Sequence, residues 1–202
     1  MRMPIGLLLT LLVLAFAQPA RAQFDHKVPF DESGIWHRNV QQGVEALTVA
    51  TVIGGSLWFG GESRTGKTFW QSFDSSALGA VGATAGKYIF TRARPSQTDD
   101  PTKWFQGKGH YSFPSGEVTL TSSAIAPFVL EYGHEHPAVY ALELLPLYDA
   151  IARVKTHSHW QTDVLAGYSL GFAAGYVAHQ QDNPWFLRAM PHGFAVGIRS
   201  QF

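Results

Sequence analysis

Two windows of this 202-residue chain, 46–61 and 164–181, contain no Lys, Arg, Asp or Glu. Such runs must be buried or placed in lipid, and each is only marginally long enough to span a bilayer. The first, rich in Gly, Val and Thr, is a core helix or a membrane segment, and periodicity does not choose between the two. The second, built of Ala, Leu, Gly and Tyr, reads as a buried helix. A mean hydropathy of −0.03 is low for an enzyme with many spans.

The first 22 residues read as a separate unit. Arg2 precedes an apolar run over 5–17, and Ala20-Arg21-Ala22 forms a small-residue cleavage signature. This predicts a secretory signal peptide, 1–22, and a single helical domain over 23–202. Removing Arg2 and Arg21 takes 15 basic residues to 13 against 15 acidic ones. So balanced a chain lacks the basic footprint of a nucleic-acid binder, and no nucleic-acid partner is expected. With no cysteine, disulfides, thiolate catalysis and Cys-type zinc sites are excluded.

Between the windows, helices are predicted over 76–92, over 118–130 and over 138–152, the last kinked or divided by Pro146. Lys87 and Arg94 are seven residues apart, so on one continuous helix both would project from the same face. Cations on an otherwise apolar helix are costly to bury unless an anion meets them. Ser115 is a natural N-cap for the next helix, and Gly116 lets backbone approach a ligand. The free N–H groups and positive dipole of such a helix start form a phosphate cradle.

Two further stretches mimic known motifs. Residues 61–68 match a nucleotide-loop pattern but lack the strand–loop–helix context it requires. The His134-Glu135-His136 turn lacks the spacing of a helical zinc site. At the C-terminus, Phe194, Val196 and Ile198 alternate with small or polar residues, which predicts a short β-strand.

The segment 153–163 carries the strongest chemical signal. A helix starting near Ser158 would set His159 and Asp163 on one face, where the carboxylate fixes the imidazole tautomer. The other ring nitrogen is then a free nucleophile, and Arg153 adds a planar cation suited to a phosphoryl oxygen.

Lys87 to Arg94-Pro95, Pro114-Ser115-Gly116-Glu117, and Arg153 through His159 to Asp163 together resemble the three motifs of one superfamily. It comprises type-2 phosphatidic acid phosphatases, bacterial class A acid phosphatases and vanadium haloperoxidases. The resemblance covers roughly residues 87–175 and implies an all-α helical bundle with the three motifs gathered at one end. It further implies phosphoester or pyrophosphate hydrolysis through a phosphohistidine on His159, oriented by Asp163, with no metal and no cofactor. Lys87, Arg94, Ser115, Gly116 and Arg153 would bind phosphate. The substrate would be a phosphorylated small molecule or a lipid, handled outside the cytoplasm, with association at a membrane surface left open.

Two positions depart from the family pattern. Ala152 replaces a serine, a minor loss. Glu117 stands where the family has the histidine that protonates the leaving oxygen. A carboxylate repelled by bound phosphate would be pushed up in pKa, so a neutral Glu117 could serve as the acid, with His110 as a substitute. The alternatives are a non-catalytic anion binder and a vanadate-dependent peroxidase.

Overall fold

The structure, a computed structural model, describes residues 24–181 in full and the backbone of 187–190 and 193–196. The expected signal peptide, 1–22, and Ile198 lie outside the described residues. Among the described residues there are five α-helices: α1 (Arg38–Phe59), α2 (Arg64–Phe90), α3 (Gly116–Tyr132), α4 (Leu144–Lys155) and α5 (Gln161–His179). Short 3-10 turns, Gly34–Trp36 and Pro137–Glu143, precede α1 and α4. The strand expected at the C-terminus is one arm of an antiparallel pair, β1 (Leu187–Met190) and β2 (Gly193–Val196), with Leu187 opposite Val196.

The bundle is organised around α3, which packs against α5 and α2 along most of its length. Its burial is nearly all-round, from Val118 through Val129, and small residues on its neighbours allow close approach. A Cβ at Gly171 would lie 2.5 Å from the Thr119 carbonyl oxygen, so only glycine lets α5 lie this near the α3 backbone.

Hydroxyl groups tie the helices together in this interior. Ser72 donates to the Ala124 carbonyl at 2.8 Å, and Ser122 of α3 donates to that of Tyr168 on α5 at 2.9 Å. Pro127 inside α3 has no N–H, which deprives the carbonyl four residues earlier, Ser123, of its helical donor. Ser75 of α2 supplies the missing bond at 2.6 Å. The outside is apolar by comparison. Leu47, Ile53, Leu57 and Trp58 of α1 are exposed, Trp58 by 85%. Among the described residues no helix is long and apolar enough to cross a membrane.

Several helix limits differ from those the sequence suggests. The uncharged window 46–61 belongs largely to a longer helix that begins at Arg38, α1. Helix α2 begins twelve residues earlier than expected and stops at Phe90, where Thr91 turns left-handed at φ 34°. Arg94 is therefore on the following loop and does not share a helical face with Lys87. Pro146 sits in the first turn of α4, where no helical donor is missed.

Candidate active site

Helix α5 starts at Gln161, with Trp160 as its N-cap, and not near Ser158. His159 consequently lies in the turn before the helix, fully buried, rather than on its face. The His159 and Ser158 amides both donate to the Arg153 carbonyl, at 3.1 and 3.0 Å. The end of α4 and the start of α5 thus fold over one another and bring Arg153 to the imidazole.

The ring is oriented differently from the expected direct His–Asp pair. His159 Nδ1 meets the Ser112 carbonyl at 2.6 Å. A carbonyl only accepts, so Nδ1 carries the hydrogen and Nε2 is the free position. Asp163 Oδ2 is 3.8 Å from Nδ1, beyond hydrogen-bond reach. Asp163 acts one step back. Its Oδ2 accepts from the Ser112 hydroxyl at 2.5 Å and from the Trp160 amide at 2.9 Å. It thereby fixes both the residue that holds the ring and the residue that follows it. Burial pushes the Asp163 carboxyl up, but the nearby His159 ring, Arg92 and the Ser112 hydroxyl outweigh that and hold it low.

Ser115 caps α3 and donates its amide to the Asp163 carbonyl at 3.0 Å, which seats the α3 N-terminus beside α5. Its hydroxyl makes no capping bond. Lys87 Nζ donates to the carbonyls of Tyr111 (3.1 Å) and Pro114 (2.9 Å), and Arg94 reaches the same Tyr111 carbonyl at 3.5 Å. Both expected cations therefore gather on the 111–114 loop, despite lying on different local structures. Burial pulls the Lys87 ammonium down to about 8. Gly116 accommodates Lys87, since a Cβ there would stand 3.4 Å from Cε.

Glu117, in the first turn of α3, faces the same space. Its carboxylate lies 3.6 Å from His159 Nε2, 3.3 Å from Arg153 Nη2 and 3.4 Å from Arg38 Nη2. Burial opposes its ionisation, yet the His159 ring and Arg153 hold the carboxyl far below the usual carboxylate range. A neutral Glu117 is thus not the state of the free protein. Burial also lowers the Arg153 guanidinium, with Glu117 opposing that shift. Three polar atoms converging on the region have no hydrogen-bond partner and are buried: His159 Nε2, Ser115 Oγ and Arg153 Nε.

His157 Nε2 donates to the Val28 carbonyl at 2.7 Å. His110 lies on the loop after Gly107, its Nδ1 buried without a partner. Sequence reasoning missed five participants: Asp25, Arg38, Gln41, Arg92 and Ser112. Gln41 accepts from Arg153 Nη1 at 2.9 Å, and Arg92 binds Asp163 Oδ1 at 2.5 Å. The signal for Arg92 was its place two residues before Arg94, straight after an apolar helix.

Fold and site together define a helical bundle with Lys87, Arg94 and Arg153 gathered near the N-terminus of its central helix. Residues 70–186 match the PAP2 superfamily, and the chain belongs to it. A curated relative, named lipid A 1-phosphatase, from Porphyromonas gingivalis is 29% identical over 158 residues. The match takes in 74% of this chain but 32% of the relative, so the chain spans about a third of that protein's length.

Two solved structures share the fold. Aquifex aeolicus LpxE is 19% identical with a TM-score of 0.52, over 86% of this chain and 94% of that one. The transmembrane PAP2-type phosphatidylglycerolphosphate phosphatase of Bacillus subtilis is 18% identical with a TM-score of 0.55, over 86% and 92%.

Proposed function

We propose that this chain is an exported phosphatase that hydrolyses lipid-linked phosphomonoesters or pyrophosphates through a phosphohistidine. The observation that carries the reading is the gathering of His159 Nε2, Ser115 Oγ and Arg153 Nε, each buried with no hydrogen-bond partner, around the start of α3, where His159 and Arg153 both face Glu117. Buried polar groups are ordinarily satisfied, and these three match the nucleophile and two oxygen ligands of a phosphoryl group. The lipid preference rests on the exposed apolar side chains of α1 and on the relative named for lipid A.

In this reading the Nε2 lone pair attacks phosphorus, the N–P bond forms and the bond to the leaving oxygen breaks. Lys87, Arg94, Arg153, Ser115 and the Gly116 amide stabilise the equatorial oxygens. Phosphate drawn onto Arg153 takes over a countercharge of Glu117 and repels its carboxylate. The carboxyl then rises in pKa and serves as proton donor to the leaving oxygen. Water next attacks phosphorus and gives a proton to the Glu117 carboxylate left by the first step, the N–P bond breaks, and orthophosphate leaves with the ring restored. None of these steps calls on a metal or cofactor.

One observation favours a second reading. The ionised Glu117 already pairs with His159 and Arg153, as it would in an anion binder with little turnover. Phosphate release from lipid A, phosphatidate, prenyl pyrophosphate and soluble esters separates the two, with His159→Ala as control. An acid-labile phosphoprotein trapped by rapid quench, absent in that variant, supports the phosphatase. No release from any of these compounds supports the binder. N-terminal sequencing of the exported protein tests the cut after Ala22.

A further inference from the structure

Residues 24–33 form a strap along the turn that carries His159. On one side of the histidine, His26 and Gln161 bond reciprocally, at 3.1 and 2.8 Å. On the other, the Asp31 amide donates to the Lys155 carbonyl at 3.1 Å, and the Lys155 ammonium meets the Asp31 carboxylate at 3.0 Å. The His157 ring joins the Val28 carbonyl between them. The turn is thus fastened to the strap before, beside and after the imidazole.

The deepest contact is Asp25, only 3% exposed. Its Oδ1 accepts the Thr162 amide at 2.8 Å, and its Oδ2 accepts the Thr162 hydroxyl at 2.6 Å. The same Oδ2 takes Arg92 Nη2 at 2.6 Å, while Arg92 Nη1 holds Asp163 Oδ1 at 2.5 Å and the Thr162 hydroxyl at 2.7 Å. Arg92 is further pinned by the Pro101 carbonyl (2.7 Å) and lies 4.3 Å over the Trp104 ring. Side-chain exposure is 1% for Arg92, 1% for Asp25 and 0% for Asp163.

A guanidinium has two ends, and here each end is held by a different carboxylate in a buried fork. With one carboxylate, the Asp25 end of Arg92 would be held only by the neutral Pro101 carbonyl and the Trp104 face. Two carboxylates fix the plane, and with it the direction from which Asp163 is held. Asp163 in turn sets Ser112, whose carbonyl sets the ring.

We propose that Asp25 is a positioning residue for His159, acting through Arg92 and Asp163, and that the 25–31 strap is part of the site's working geometry. This rests on His159 being the nucleophile of the proposed phosphatase. Partners outside the immediate contact shell of a reacting group commonly change activity by about ten- to a hundredfold. The charged groups facing the ring are Glu117 from α3, Arg153 from α4, Asp163 from α5 and, behind Asp163, Arg92. Removing the Asp25 charge leaves the Arg92 cation less compensated, which disfavours a second positive charge on the ring.

The test compares the full chain with Asp25→Asn, which keeps the shape and loses the charge, and with Thr162→Val, which removes the shared hydroxyl. Thermal melting, kcat and KM across pH, and the nitrogen-15 imidazole spectrum are read for each, with His159→Ala to assign the signals. The expected D25N result is cooperative melting, kcat down on the order of tenfold and KM within about twofold. The acid limb of kcat/KM moves to lower pH, and the His159 signals shift with it. A folded D25N with parental kcat, acid limb and imidazole signals overturns the proposal. Should D25N fail to fold, T162V decides, and parental values there overturn it equally. A parent without phosphatase activity refutes the enzyme reading alone, because the imidazole spectra still report whether Asp25 positions the ring.

Discussion

The carboxylate of Glu117 stands 3.6 Å from Nε2 of His159, on the one ring nitrogen left free by the Ser112 carbonyl. It shares Arg153 with that region at 3.3 Å. An anion of the protein's own therefore occupies part of the charge field that a phosphate would use. Glu117→Gln removes the charge and keeps the shape, so orthophosphate or vanadate should bind about tenfold more tightly, or better. Titration calorimetry at fixed ionic strength reads this directly. Unchanged or weaker binding would show that Glu117 does not compete.

The same substitution separates competition from proton donation. If Glu117 also protonates the leaving oxygen, E117Q slows esters with poor leaving groups far more than aryl phosphates, whose oxygen leaves without a proton. Acidification alone does not mimic the substitution, because the carboxyl is held well below its ordinary range in the free protein. A parallel drop in kcat for both ester types would assign the loss to binding geometry instead.

Lys87 predicts an alkaline limb. Its ammonium is half-buried and pulled down to about 8, chiefly by burial. As pH rises through that value the site loses a cation, so kcat/KM, which reports the free enzyme, should fall above about pH 8. Lys87→Arg keeps its charge well beyond this range. In that variant the limb should move to higher pH even if the maximal rate is lower. A parent profile flat from pH 7 to 9 would contradict this assignment.

How much of this was readable in the sequence follows from the physics of each part. The uncharged run around α5 announced a buried helix, whereas the run around α1, which left core and membrane open, forms a helix whose apolar side chains are largely exposed. The three motifs pointed to side chains that the fold brings together, since Lys87, Arg94, Ser115, Arg153 and His159 meet around the 111–117 segment. Helix ends were less legible. The left-handed Thr91 and the Trp160 N-cap carry no strong local signal, so Arg94 and His159 were assigned to helices they do not occupy. Least legible were long-range partners such as Asp25 and Arg92, 67 residues apart. No periodicity links a polar lead-in to a loop cation, and only the folded chain brings them together.

Close packing of α3 on α5 makes Gly171 a sensitive position. An alanine Cβ there would meet the Thr119 carbonyl at 2.5 Å and the Ser123 amide at 2.8 Å, both backbone atoms that cannot rotate aside. Gly171→Ala should cost roughly 1–3 kcal/mol, lowering Tm by several degrees. Thr119 is one turn from Ser115, so phosphate affinity should fall as well. Gly82→Ala is the control, because its Cβ meets the mobile end of Leu170 at 3.2 Å. Equal melting temperatures for the two variants would refute the backbone-contact argument.

Asp149 of α4 gives the clearest dependence of stability on pH. Both carboxylate oxygens are buried, and burial, with Glu45 and Glu117 adding repulsion against the opposing Thr121 hydroxyl, raises the carboxyl from 3.8 to about 7. Below 3.8 the group is protonated in both folded and unfolded chains and contributes no difference. As pH rises from there, the unfolded chain releases its proton while the folded one retains it, so stability falls until the folded group also titrates near 7. Asp149→Asn carries a neutral isostere at every pH. It should therefore melt higher than the parent at pH 7.5, by at least about 2 °C, with the gap closing towards pH 4.5. Melting curves at the two pH values check this, and a gap of the same size at both would mean that Asp149 does not titrate with the fold.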